Sequence, residues 1–335
     1  MRITQSMTDR KYIAQNNRMQ SNMLKNMTRI MTQKQYTRAS EDSVNASKAL
    51  TVRRQLKNLD MYDGNLKSCK EFFTSAESNL YTVANNIYIN VQNKLETACN
   101  GTYDQTQLDI FAEEIEQYAK LSMETLNGEF AERKIFGGTN NSQVPFTTEV
   151  VNGKNVVKYN GVSVDDAADL TDFPGGDPIY VDIGIGIKYN AQYEVDPQTA
   201  MDVSLNGAEI TGFGCEKDAD GNKTFSNNFV QMMFDAAAAL KDGDVPSANA
   251  TLDRLNKANT KILTEITTLG TKQNSIDFYV TKNEDYRTSL KERQNDVEGC
   301  DMNKEITDHD ATYAAYQAIL QMSANILPKS IFDFI

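Results

Sequence analysis

The chain has 335 residues and is 40% hydrophobic, enough to bury a substantial core across two or three domains and too much for a disordered protein. Its formal charge of -12 argues against nucleic acid as a partner, because phosphate binding rests on lysines and arginines that release counterions. No window approaches the roughly 20 uninterrupted apolar residues that cross a bilayer, and the opening MRITQSMTDRK lacks the apolar core of a cleavable secretory signal, so neither membrane insertion nor classical secretion is expected.

The charge is unevenly spread. Residues 1 to 58 hold 12 Lys/Arg against three acids, an excess of nine cations, so the remainder carries -21 of the total -12. The basic residues stand singly, as on a solvated helix face, and the acidic stretch from Glu284 to Asp310 offers them a partner within the same chain. In this first segment Ile3, Met7, Met19, Met23, Met27, Ile30 and Met31 give an apolar, adaptable helix face interrupted by Asn16 and Asn17.

A long stripe follows. Leu59, Tyr62, Leu66, Cys69, Phe73, Ala76, Leu80, Val83, Ile87, Val91, Leu95 and Ala98 step by three or four residues until Asn100-Gly101 ends the helix. Leu108, Phe111, Ile115, Tyr118, Ser122 and Leu126 return after a short loop, which predicts an antiparallel helical hairpin. No proline precedes Pro145, whereas Pro145, Pro174, Pro178 and Pro197 fall close together and twelve of the 18 glycines lie between 129 and 225, so the helical order breaks there. Within that block NVVKYNGVSV and DPIYVDIGIGIKYN alternate as strands. Helical spacing then resumes through Leu252, Leu255, Asn259, Ile262, Ile266, Leu269, Gln273, Ile276 and Val280 and continues weakly to Val297, completing a bundle with the first two helices.

The last segment has a cleaner stripe: Ile306, Tyr313, Tyr316, Leu320, Ala324, Leu327, Ile331 and Phe334, reset at Pro328. Two lone helices at the ends cover only one face of each other. Their opposite charges predict an antiparallel pair, and the leftover apolar surface predicts stacking with further copies. The expected polymerisation surface is therefore Ile3, Met7, Met23, Met27, Ile30, Ile306, Tyr313, Tyr316, Leu320, Leu327, Ile331 and Phe334.

The inventory offers no catalytic residues, cofactor or metal. A single histidine, His309, sits in ITDHDATY on the expected polar side of a helix; Cys69, Cys99, Cys215 and Cys300 lie far apart with no CxxC pair and are expected as free thiols. EKDADGNKTF matches only the first half of a calcium loop, with Asn227 where the bidentate glutamate belongs, and Asp165, Asp166, Asp169 and Asp172 read as a solvated loop. The glycines of DIGIGIK fit neither GxGxxG nor a phosphate-binding loop. An enzyme is not expected.

The two ends, by contrast, resemble the flagellin superfamily and, within it, the members at the junction of hook and filament. The resemblance rests on MRIT at the start, YTRASEDSVNASKALTVRRQL at 36 to 56, ACNGTY at 98 to 103, KIFGGTNN at 134 to 141, YVDIGIG in the middle and PKSIFDFI at the end. Ala39 and Ser43 replace the prolines of the usual Pro-Ser-Asp-Asp-Pro turn, while Ser40, Glu41, Asp42 and Ser43 still supply helix-capping side chains. The resemblance implies a mainly α fold with an inserted β-rich domain: terminal coiled-coil helices at 1–38 and 305–335 that also carry the export signal, a helical bundle from 43–140 and 226–300, and an outer domain at 141–225. It further implies an extracellular protein of the bacterial flagellum, exported unfolded through the type III apparatus, its C-terminal helix covered by a cytoplasmic chaperone beforehand. Its partners would be the hook-side junction protein, flagellin and its own neighbouring copies, with the filament subunit flagellin as the alternative role.

Overall fold

A computed structural model describes residues 5–140, 143–151, 153–184, 186–196, 199–217 and 223–326. The fold is mainly α, 66% helical, with a small β-rich middle region. The described residues up to Asp60, together with those from Glu284, form one compact unit, and Met61–Asn283 form the other. Two helices run through both units: α2, Ser43–Tyr81, and α7, Val245–Glu298.

In the larger unit the long stripe becomes the core. Leu66, Phe73, Ala76 and Leu80 of α2 are buried, and Lys70 and Glu77 pair antiparallel with Asp277 (2.5 Å) and Gln273 (2.8 Å) of α7. The stripe does not continue as one α-helix. A π-helical turn, Thr82–Ile87, joins α2 to α3, Tyr88–Asn100, and its wider turn brings Val83 with Ala84, and Ile87 with Tyr88, to the core as adjacent pairs. Gly101 ends α3 as expected, and α4, Gln105–Leu126, opens on a capping box in which the Asp104 side chain accepts from the Gln107 N–H at 3.0 Å.

The helix that the stripe analysis missed is the most buried. Helix α6, Phe229–Lys241, has Phe229, Val230, Gln231, Met232, Met233, Phe234, Ala236, Ala237 and Leu240 in the interior. It is short, and most of its positions are enclosed by other elements. Its N-cap Asn228 accepts from the N–H groups of Val230 and Gln231 (both 3.0 Å) and donates to Gly212 O (2.7 Å) and Thr211 Oγ1 (2.9 Å). Asn228→Ala removes the cap and orphans buried partners, so chemical denaturation should show a loss of about 1–2 kcal/mol. Gly243, at φ +72°, turns α6 into α7, whose Pro246 occupies the first turn where its missing N–H costs nothing.

Among the described residues the β-rich block forms four small antiparallel sheets. Strands β1, Glu129–Phe130, and β2, Arg133–Lys134, pair as a hairpin; β3, Phe146–Val151, β4, Lys154–Tyr159, and β5, Val162–Ser163, form the largest sheet, with the Asn160-Gly161 turn where NVVKYNGVSV placed it. The second expected strand is corrected. Only β6, Tyr180–Asp182, is extended; beyond it Gly184 and Gly186 stand at φ +99° and +81°, and the Asp182 carboxylate accepts from both their N–H groups. The glycines of DIGIGIK thus serve a side-chain-capped turn, which alternation alone mimics. Strand β6 pairs with β7, Ala200–Asp202; α5, Gly207–Thr211, follows, and β8, Cys215–Lys217, pairs with β9, Lys223–Ser226.

Of the acids expected as a solvated loop, Asp166, Asp169 and Asp172 are exposed and Asp165 is half-buried. Asp165 accepts from Ser226 Oγ at 2.5 Å, and Asp169 and Asp172 form the capping box of a short 3-10 turn, Leu170–Asp172. Of the calcium-like segment, Asp218, Asp220 and Gly221 lie outside the described residues, and Glu216 pairs with Arg254 at 2.5 Å.

Candidate assembly surface

The smaller unit holds both terminal helices, α1, Gln5–Thr32, and α8, Met302–Ile326. They lie antiparallel: Gln20 reaches Tyr316 (3.2 Å) while Arg29 reaches Glu305 (3.0 Å). The expected pairing of basic arm with acidic partner is present at Arg29–Glu305 and again where Arg53 and Lys34 meet Glu298 at 2.6 and 3.6 Å. Ahead of α2, Asp42 does the capping. Its carboxylate accepts from the Asn45 N–H (3.0 Å) and side chain (2.7 Å), and the backbone bond holds its carboxyl below the usual value. Glu41 accepts instead from the Thr37 N–H at 3.3 Å.

The residues of the expected polymerisation surface divide into two groups. Met23, Ile30 and Tyr316 are half-buried, whereas Met7, Met27, Ile306, Tyr313 and Leu320 are exposed. Met27 is 50% and Tyr313 47% accessible. Ile3, Leu327, Ile331 and Phe334 lie outside the described residues. Ile306, Tyr313 and Leu320 are seven residues apart, which places them along one side of α8 as in a coiled-coil seam. On α1 the exposed apolar side includes Ile13, Leu24 and Met31, which sequence reasoning left out or treated as part of one face. A stripe counted by threes and fours cannot tell the side facing the sister helix from the side left open. His309 is another correction: it is half-buried, with its ring stacked on Tyr313 at a 6.5 Å centroid separation.

Elsewhere, a cavity of about 430 Å³ in the larger unit is lined mainly by apolar side chains, among them Phe72, Phe130, Val181, Val203 and Leu205. All four cysteines are free, and burial pushes the Cys69 and Cys99 thiols up. Among the described residues no group of three or more His, Cys, Asp or Glu could hold a metal ion, and no helix is long and apolar enough to cross a membrane.

The class this geometry defines is a helical structural subunit whose two end segments pair and leave apolar sides open. Residues 3–141 match the family described as the bacterial flagellin N-terminal helical region. Among solved structures, the chain is similar to one described as a flagellar hook-associated protein from Vibrio parahaemolyticus, at TM-score 0.59 and 16% identity over 77% of this chain and 100% of that one. It is also similar to FlgL of Bacillus cereus, at TM-score 0.52 and 17% identity over 73% and 99% of the two chains, and to FlgL of Xanthomonas campestris, at 0.52 and 13% over 75% and 99%. A comparison with curated proteins gives no match. The fold is that of these hook-associated structures, and residues 3–141 are similar to the flagellin N-terminal region.

Proposed function

We propose that this protein is a structural adaptor of the flagellum, acting as hook-associated protein 3 does, which joins the hook-side junction protein to the flagellin filament through its terminal helices. The observation that carries the reading is the seven-residue apolar line Ile306, Tyr313, Leu320 beside the exposed apolar side of α1. Neighbouring copies would cover both. At roughly 25 cal/mol per Å2, burying several hundred Å2 there contributes several kcal/mol per copy before ordering costs. In this reading residues 1–38 and 305–335 make the polymerisation layer and Ile3, Leu327, Ile331 and Phe334 extend it. The flagellar type III apparatus exports the chain unfolded, and a chaperone shields α8 beforehand.

Sedimentation of the purified full chain with and without seeds of flagellin filament tests this. Binding to seeds without long polymers of its own is the expected result; unaided growth into long filaments would instead identify a flagellin. Met27→Asp combined with Tyr313→Asp should abolish seed binding while the melting of the helical core is unchanged, since both side chains are about half accessible and neither is part of that core. Undiminished binding by that variant would overturn the assignment of the surface.

A further inference from the structure

The segment linking α1 to α2 crosses the turn between α7 and α8, and the crossing is built from buried polar groups. Lys34 pairs with Gly299 as an isolated antiparallel bridge, the Gln35 N–H donates to Glu298 O (2.8 Å), and the Cys300 N–H donates to Gln33 O (3.2 Å). Only 5% of the Glu298 side chain is exposed, yet it carries a charge. Its Oε2 accepts from Arg53 Nη2 of α2 at 2.6 Å, with Lys34 Nζ of the linker at 3.6 Å.

The same crossing is poorly satisfied elsewhere. Among the described residues, Arg29 Nε, Tyr36 OH and Glu305 Oε2 are buried side-chain atoms without a hydrogen-bond partner, and all three belong here. Buried polar atoms without partners oppose closure. The ionic contacts of Glu298 must offset that opposition, which makes the crossing the place where this unit opens when they are lost.

We propose that Glu298 is an ionic latch: by holding Arg53 of α2 and Lys34 of the linker against the end of α7, it keeps the linker closed and thereby fixes how the α1–α8 pair is held. That the held pair is an assembly element rests on the function proposed above; the latch itself does not. The groups facing Glu298 are Arg53 on α2 and Lys34 and Tyr36 on the linker, with Gln294 on its own helix and the Arg29–Glu305 pair and Asp42 close by. Burial alone would push the Glu298 carboxyl up, but Arg53 and Lys34 hold it below its ordinary value. A carboxylate with a depressed folded value stabilises the closed form above the ordinary range and loses it as pH falls through the folded value, so the latch stays shut in neutral and mildly acidic solution.

Amide hydrogen exchange on the full-length monomer at neutral pH tests the latch without any assembly. Glu298→Gln keeps the shape and removes the charge; the Gln35 and Cys300 amides should exchange at least tenfold faster, while those of Leu66 to Leu80 keep their protection. Arg53→Gln, at a half-exposed side chain, should do the same. The double variant should go little further than Glu298→Gln alone, because that change already removes the ionic contact with Arg53. Unchanged protection at Gln35 and Cys300, a loss that spreads to Leu66–Leu80, or fully additive effects would each overturn the proposal. Seed binding by the monomer-competent variants is a separate readout, and its result bears only on the assembly reading.

Discussion

Gly138→Ala should destabilise the larger unit by about 3–5 kcal/mol, at the upper end of what single substitutions do. Gly138 stands at φ +63°, and a Cβ there would come within 2.1 Å of the Gly175 carbonyl oxygen, a backbone atom that cannot swing aside. That carbonyl accepts from the Thr139 N–H (2.9 Å), and Gly138 itself donates to Leu205 O (3.2 Å). Around this point Asn160 donates to Pro174 O (2.7 Å), and the Tyr159 hydroxyl donates to Phe136 O (2.8 Å), which also accepts from the Gly207 N–H (3.0 Å). Moving one strand of the seam therefore moves all of them. Gly153→Ala is the control: φ is +80° but a Cβ meets nothing within 4 Å, so only the strain of about 1 kcal/mol remains. Urea denaturation of the two variants measures the difference, and equal small losses would show that the seam yields.

That seam also marks the limit of what could be read from sequence. The helix itself ends earlier, at Leu126, and KIFGGTNN was legible only through its resemblance to the turn that leaves the family's helical domain. Its partners were not. Nothing local to residues 134 to 141 says that Gly175 and Leu205 will supply the facing carbonyls, since such contacts are set by packing between segments far apart in sequence. The long helices were legible for the opposite reason. Each buries one side only, so Leu66, Phe73, Leu80, Val91 and Leu95 betray themselves by spacing, whereas the sequence offered Ser40, Glu41, Asp42 and Ser43 alike as caps and only the structure singles out Asp42.

At the candidate site, pattern gave the existence of open apolar sides and geometry gave their direction. Tyr316 and Tyr313 read alike in sequence, yet one meets Gln20 across the pair and the other is half accessible, stacked on His309. The latch was invisible because Glu298 and Arg53, 245 residues apart, look like ordinary surface charges.

Helix α6 also holds the charge whose removal should stabilise the protein. Asp235 has its carboxyl pushed up to about 6, first by burial and then by the negative Asp165, with the Gln231 side chain (2.9 Å) and Lys154 opposing. Between about pH 4 and 6 the folded form keeps a proton that the unfolded chain has released, so this group makes the wild type lose stability as pH rises through that window, and the loss is complete above it. Asp235→Asn keeps an acceptor for Gln231 and places no charge near Asp165. It should therefore be the more stable protein at pH 7 by on the order of 2 kcal/mol, since each unit of displacement corresponds to about 1.4 kcal/mol. The advantage should shrink towards zero near pH 4, where the wild-type carboxyl is protonated in the folded state. Denaturation midpoints of both proteins across pH 4 to 8 decide the matter: a gap that is the same at both ends would mean that packing, and not the cost of burying a charge beside Asp165, separates them.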